Sequence, residues 1–351
     1  MAGIEIHPLL ISSDAEVGLR QTVQTSSDQA SLVDPAIVKV LEKGVKVVQV
    51  KKHGESFWAG TFKIDCETEA GECRSYFLKT LSSPDAAERV YGEFRSMKEI
   101  HETLPTAVPT PRGYGPCCHE PGTYFYICDY IEATRSLPDH VRLGFKLAEL
   151  HHNSRSPNGM FGFHCPTYDG DQVTNTTWDS SWTRFFKRRV HEAYMLDLER
   201  NGHWKLYEDV VKVALDGLIP RLLDVLTENG RSIRPVLIHG DLWESNIGTE
   251  EATDEIYFWD ACAYYAHHER DVAIWRCAHH RMTDEKYRDE YFKNYPPSEP
   301  MEEADDRNRL YSVEILMNNG LSLPGSKTRQ LAVQELQYLI AKYLPESQLG
   351  K

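Results

Sequence analysis

Between residues 131 and 137 the texture of this chain changes, and that change restricts its fold more than any other feature. Ahead of it lie the runs "VKVVQV" (45–50), "FWAGTFKIDC" (57–66), "RSYFLKT" (74–80) and "TYFYICDYI" (123–131), separated by glycine-bearing turns. Short runs rich in β-branched and aromatic residues with that punctuation read as strands. One long helix interrupts them: "SPDAAERVYGEFRSMKEIHETL" (83–104) combines a capping start with helical apolar spacing. "DPAIVKVLEKG" (34–44) reads as a short helix, with an N-cap aspartate, proline at the first helical position and a closing glycine. "VPTPRGYG" (108–115) reads as an extended turn. Past residue 137, apolar residues recur at helical spacing in 137–153, 180–202, 206–230 and again after 261, around a long Gly/Pro/aromatic loop at 156–180. The expectation is an α+β chain of two lobes: residues 1–131 form an antiparallel sheet plus a helix, and residues 132–351 form a mainly α-helical lobe. Clefts between such lobes commonly hold ligands.

A chain of 351 residues is long for one compact core. Its hydrophobic and charged fractions, 41% and 26%, are those of a soluble globular protein. A net charge of −14 argues against nucleic acid as the main partner, but not against a phosphate ligand, which is held by local cations and backbone amides. No apolar stretch of about 18 residues is present, so no membrane span is expected. The N-terminus lacks a basic, then apolar, leader, so cytoplasmic location is expected, with the eight cysteines reduced. A monomer is expected. No C-x-x-C pair occurs, and the adjacent ligands of "CCHE" (117–120) suit one tetrahedral ion poorly.

The chemistry concentrates late in the chain. "PVLIHGD" (235–241) and "EIYFWDA" (255–261) are apolar runs that each end on an acid. Read as two neighbouring strands, they project Asp241, Asn246 and Asp260 into one place. Phosphoryl transfer needs such a set: one carboxylate to take the proton of the attacking hydroxyl, and an amide oxygen and a second carboxylate to hold Mg²⁺ against nucleotide phosphates. Asp241 and Asn246 have the spacing of the H-R-D-x-x-x-x-N loop of protein kinases, with Gly240 where the arginine stands. Ala261 and Cys262 follow Asp260 instead of Phe-Gly, so a kinase-type activation switch is not expected. In the first lobe Lys79 ends a strand where a cation reaches α- and β-phosphates, and Glu93, rather than Glu88, is its expected partner. The turn at Gly54, Glu55 and Ser56 suits backbone amides that cover phosphates. Around Asp129 and Ile131, main-chain groups at the lobe junction can meet an adenine edge.

"HGDLW" followed by Asn246, "FWDACAYYAHHERDVA" (258–273), and "FGF" (161–163) ahead of Trp178, Trp182, Phe185 and Phe186 together resemble the fructosamine-3-kinase/ketosamine-3-kinase family, a branch of the aminoglycoside-phosphotransferase-like kinases. The similarity runs from about residue 50 to about residue 320. It implies a protein-kinase-like bilobal fold and ATP- and Mg²⁺-dependent phosphorylation of the 3-hydroxyl of a ketosamine, a ribulosamine or fructosamine carried on a glycated protein lysine or a small amine. The phosphorylated adduct then decomposes and frees the amine. In the resemblance Asp241 is the base, Asn246 and Asp260 hold magnesium, and Lys79 and Glu93 position the nucleotide. His267 stands at a family histidine and is a candidate substrate residue, although Ala266 replaces the glycine before it and a buried, hydrogen-bonded imidazole is the structural alternative; Asp271 falls where an acid is usual. Trp243 and either Trp178 or Trp182 offer flat apolar faces to sugar C–H groups; Trp243 also has a reading as core, and Trp178 and Trp182, four apart at helical spacing, are expected to include one that faces inward. "HGESFW" (53–58) departs from the family's phosphate loop, which puts redox control there in doubt. A kinase for a free sugar, aminoglycoside or choline-like alcohol is the alternative, and a pseudokinase that only binds is a third reading. "GLSLPGSKT" (320–328) mimics a phosphate-binding loop, but Ser326 precedes Lys327 and no strand leads in.

Overall fold

The computed structural model describes residues 33–54, 59–134 and 136–347. The first lobe is a five-stranded antiparallel sheet of order β1-β2-β3-β5-β4: β1 (Lys46–Lys52), β2 (Gly60–Glu67), β3 (Cys73–Leu81), β4 (Pro111–Pro116) and β5 (Tyr124–Asp129). The segment read as an extended turn is the edge strand β4. Its prolines fit there because an edge strand can lack ladder donors. The first helix, α1, spans Pro35–Val38 and is shorter than its sequence pattern, though Asp34 caps it by accepting from the Ala36 amide at 2.8 Å. Ile37 and Leu41 pack with Val47, Ile64, Tyr76, Leu78, Phe125 and Ile127 on one face of the sheet.

The other face is covered by α2 (Ala86–Thr103), whose Val90, Met97 and Ile100 are buried. That core does not stop at the lobe boundary, because the same residues pack in one cluster with the interior of the second lobe. Gly92 makes the approach possible: a Cβ there would come within 2.7 Å of the Pro166 carbonyl oxygen. The cleft is therefore roofed by a helix anchored on both sides.

The second lobe begins with β6 (Ala133–Thr134) and α3 (His140–Asn153), capped by Asp139. The 156–180 loop is not free-running: it carries a hairpin, β7 (Thr167–Asp169) and β8 (Gln172–Thr174), and bridges pair Phe161 with Asp179 and Gly162 with Tyr265. α4 (Trp182–Asn201) follows, capped by Ser181. The pattern at 206–230, which reads as one helix, breaks into α5 (Lys205–Val213), a wide π turn (Ala214–Leu218) and α6 (Ile219–Leu223). Pro220 has no amide to donate, so the backbone widens to keep its other bonds. Then come β9 (Val236–Ile238), β10 (Ile247–Glu250), β11 (Ile256–Phe258) and β12 (Tyr264–Ala266), a 3-10 segment at His268–Arg276, α7 (Lys286–Asn294), α8 (Ala304–Ser322) and α9 (Thr328–Tyr343).

The two acid-bearing runs are not paired with each other. β9 pairs with β12, while β10 pairs with β11 and β6, so Asp241 and Asp260 leave two separate small sheets. Among the described residues, no helix is long and apolar enough to cross a membrane, and none of the eight cysteines is in a disulfide.

Candidate active site

β9 is buried at every position, and its end turns sharply. Gly240 has φ +89°, and a Cβ there would meet the Cys262 carbonyl oxygen at 2.5 Å, so this turn admits glycine alone. The turn is held from behind by buried Asp271, which accepts from the His239 amide and the Gly240 amide, both at 2.9 Å. His151 Nε2 lies 3.1 Å from the same carboxylate. Burial alone would raise Asp271; His151, His239 and the Gly240 amide hold it below the usual carboxylate range. The Trp275 indole donates to the Leu242 carbonyl at 2.8 Å, pinning the far side of the turn.

Asp241 and Asn246 are joined directly. Asn246 donates through Nδ2 to both the Asp241 carbonyl and Asp241 Oδ2 at 2.9 Å. The second acid turn is laced to the first: Trp259 donates its amide to the Asn246 carbonyl at 3.1 Å, and Cys262 donates to the His239 carbonyl at 3.1 Å. Buried His239 spans both turns, accepting from the Asp241 amide on Nδ1 and reaching the Trp259 carbonyl from Nε2. Burial lowers its pKa, so it serves as a neutral brace. Asp260 has φ +59°, a left-handed conformation uncommon for a residue with a side chain and typical of strain kept at a functional site.

Lys79 closes the constellation from the other lobe. β3 aims it down from the sheet, and its ammonium sits 2.8 Å from Glu93 Oε2 and 2.6 Å from Asp260 Oδ1. Burial would lower the Lys79 pKa; the two carboxylates outweigh it and raise it, so the ammonium stays charged. Burial likewise works to raise Asp260, and Lys79 overrides it and keeps that carboxyl below its ordinary value. Asp241 goes the other way: burial first, then the charges of Asp169 and Asp260, push it well above the usual range. One carboxylate is thus tuned to stay ionised and the other to take up a proton. Lys79, Glu93, Asp241 and Asp260 line one pocket in the cleft, together with Arg89, Tyr168 and Gly170.

Asp129 and Ile131 stand at the lobe junction. Asp129 is held by Arg112 through a two-point pair at 2.6 and 2.8 Å. Its amide donates to Thr110 and that of Tyr130 to Ser75, each at 3.0 Å. Because antiparallel strands bond on alternate residues, the Asp129 carbonyl and the Ile131 amide face away from β3. Gly54 occupies the β1–β2 turn with φ +67° and open space around it; Glu55 and Ser56 lie outside the described residues.

The aromatic expectations divide. Trp243 is half-buried, with its ring 5.4 Å from His280, and Trp178 is half-buried and stacked on Tyr265. Trp182 and His267 are corrected to core positions. Trp182 is 2% exposed, packs on Phe161 and Phe185, and donates to the Tyr311 hydroxyl at 2.8 Å. His267 is fully buried, its ring nitrogens bonded to Tyr311 and Ser298 at 2.9 Å. His267, His268 and Glu269 bring metal-type ligand atoms within 4.8 Å of one another. Their partners are protein groups, Tyr291 for His268 and Arg307 for Glu269, so the cluster reads as structure. Sequence reasoning gave no role to His239, Arg89 or Asp169 and only a position to Asp271. The signal for Asp271 and Trp275 was their closeness in sequence to "HHER", without a way to know that this segment folds back on the Gly240 turn.

The donor set fits a hard divalent cation. Asp260 is a carboxylate kept ionised, and Asn246 spends Nδ2 on Asp241, which leaves its amide oxygen for a metal. Residues 36–342 match the family model described as fructosamine kinase. A protein-ribulosamine 3-kinase of Arabidopsis thaliana, named as chloroplastic, is 30% identical over 79% of this chain and 80% of its own. Mouse ketosamine-3-kinase is 28% identical over 56% of this chain and 68% of its own. Among solved structures, a fructosamine-3-kinase candidate from Thermobifida fusca aligns with TM-score 0.68 at 22% identity, covering 88% of this chain and 99% of that one. The aminoglycoside phosphotransferase APH(4)-Ia in complex with AMP-PNP and hygromycin B aligns with TM-score 0.55 at 14% identity, covering 84% and 94%. These two likenesses carry the kinase-like fold. By the span of the family match, the chain belongs to the fructosamine kinase family and is a kinase.

Proposed function

We propose that this protein uses Mg²⁺ and ATP to phosphorylate the 3-hydroxyl of a ketosamine on a protein lysine, the first step in removing the sugar. The observation that carries the reading is the lacing of Asp241, Asn246 and Asp260 around one point of the cleft, opposite Lys79. A sugar hydroxyl is far too weak an acid to ionise near neutral pH. Asp241, with its raised affinity for a proton, accepts that proton while the hydroxyl oxygen bonds to the γ-phosphorus and the bond to the bridging oxygen breaks. Lys79 holds α- and β-phosphate oxygens, and Glu93 fixes Lys79. Asn246 and Asp260 would hold Mg²⁺, which neutralises charge on the phosphates when bound. Asp271 and His239 keep the turn rigid, so positioning supplies much of the rate.

Trp243 and Trp178 are proposed to flank the sugar, and the glycated lysine to enter from the solvent side of the cleft. The names of the ribulosamine and ketosamine relatives support the acceptor class, and the reading keeps the enzyme monomeric and in the cytosol. A ribulosamine-bearing lysine peptide incubated with Mg²⁺ and ATP is expected to gain one phosphoryl group by mass spectrometry and then to release the unmodified peptide. No gain on the peptide, with a gain on a free sugar or amino alcohol, would overturn the acceptor in favour of a small-alcohol kinase.

A further inference from the structure

We propose that Arg89 is a second phosphate-binding cation of the nucleotide site, working beside Lys79. Arg89 lies on α2 four residues before Glu93, so both side chains leave the same face of the helix. Its side chain is 11% exposed and lines the pocket that holds Lys79, Asp241 and Asp260. One guanidinium nitrogen donates to the Gly170 carbonyl at 2.9 Å, and the other stands 4.0 Å from Asp85. The hairpin tip therefore orients the planar fork from the side away from α2. Arg89 is close enough to Glu93 and Asp260 to favour their ionised forms.

The electrostatic reason is the state of Lys79, whose ammonium is already shared between Glu93 and Asp260. A nucleoside triphosphate brings more negative charge than one divalent ion and one shared lysine offset. A guanidinium matches phosphate geometry with two parallel donors, which an ammonium does not. The competing role is mechanical: through Gly170, Arg89 latches α2 to the β7–β8 hairpin. The two roles differ in what they discriminate, since only a phosphate contact separates ATP from adenosine.

This assignment rests on the nucleotide reading above, and calorimetric titration of full-length protein with ATP, ADP and adenosine, each with Mg²⁺, tests both. R89Q is expected to weaken ATP and ADP by about 10- to 100-fold, the scale of a charged hydrogen bond, with adenosine affinity unchanged and the melting temperature near wild type. R89K, which keeps the charge and loses the fork, is expected to show a smaller loss confined to the phosphorylated ligands. Should R89Q not fold, R89K carries the test by the same ATP-to-adenosine ratio. Equal weakening of ATP and adenosine, or none, overturns the assignment in favour of a latch. Wild-type protein that binds neither nucleotide overturns the nucleotide reading and this one with it.

Discussion

Two ion clusters in this molecule are near mirror images. In the cleft, one cation, Lys79, is shared by two carboxylates, Glu93 and Asp260, at 2.8 and 2.6 Å. In the core of the second lobe, one carboxylate, Glu314 on α8, is shared by two guanidinium groups, Arg189 and Arg270. The difference lies in closure. Each oxygen of Glu314 takes two donors from one arginine, and all three residues are 6% exposed or less. Asp260, by contrast, leaves 51% of its side chain exposed and meets Lys79 at a single point. The buried cluster commits both carboxylate oxygens, although Arg189 Nη1 and Arg270 Nη1 are buried without a hydrogen-bond partner, whereas the open one leaves Asp260 half exposed to the cleft. Charge in the core ties α4 and α8 to the 3-10 segment, and charge in the cleft stays open to solvent.

Breaking each cluster should therefore fail in a different currency. The largest expected effect is on the cleft side: D241N should lower kcat by about 10²- to 10⁴-fold, the range for a lost general base, with ATP affinity nearly intact by titration. Turnover that survives would remove Asp241 as the base. On the core side, E314Q removes one partner from a buried network and leaves two guanidinium groups facing each other. It should cost about 3–5 kcal/mol of stability in denaturant unfolding, while the folded fraction keeps a kcat close to wild type.

The same residue sharpens the comparison through pH. Burial would raise Glu314, but the two arginines bring it from 4.5 down to about 2. A folded-state value below the unfolded one means the stabilisation is complete above pH 4.5 and is lost as pH falls through about 2. Wild-type protein should lose stability across that window, and E314Q should show a shallower loss in acid-unfolding curves. The smallest effect expected is at Asp169, whose negative charge helps raise Asp241. A base works above its own pKa, so D169N should move the acid limb of kcat/KM to lower pH, by about one unit at most for a single neighbouring charge. An unmoved or upward-moved limb would show that Asp169 does not face the base.

How much of this was legible beforehand varies by residue. Lys79, Glu93, Asp241, Asn246 and Asp260 stood out because each sits near a strand end, in a tight turn or on a helix with regular apolar spacing, and those features are written in neighbouring residues. The β-rich first lobe and the helices capped by Asp139 and Ser181 were visible for the same reason. For Trp182 and His267 a substrate reading and a core reading stood side by side, because an aromatic or imidazole ring looks the same in sequence whether it faces a sugar or fills a core; burial decided for the core. Arg89 and His239 were passed over, and Asp271 was given a position but no role, because their partners lie far along the chain: Gly170 for Arg89, Trp259 for His239, and His151 for Asp271.

What the sequence determined on its own was local: alternating apolar residues for strands, caps and glycines for helix ends, and the type of chemical group at each turn. Only the tertiary structure decided that β9 joins β12 rather than β11, that Asp241 and Asp260 hold their protons so differently, and that Asp271 lies behind the Gly240 turn. The reason is range. Backbone preference acts over a few residues, but burial and the sign of nearby charge depend on segments that meet only once the chain has folded.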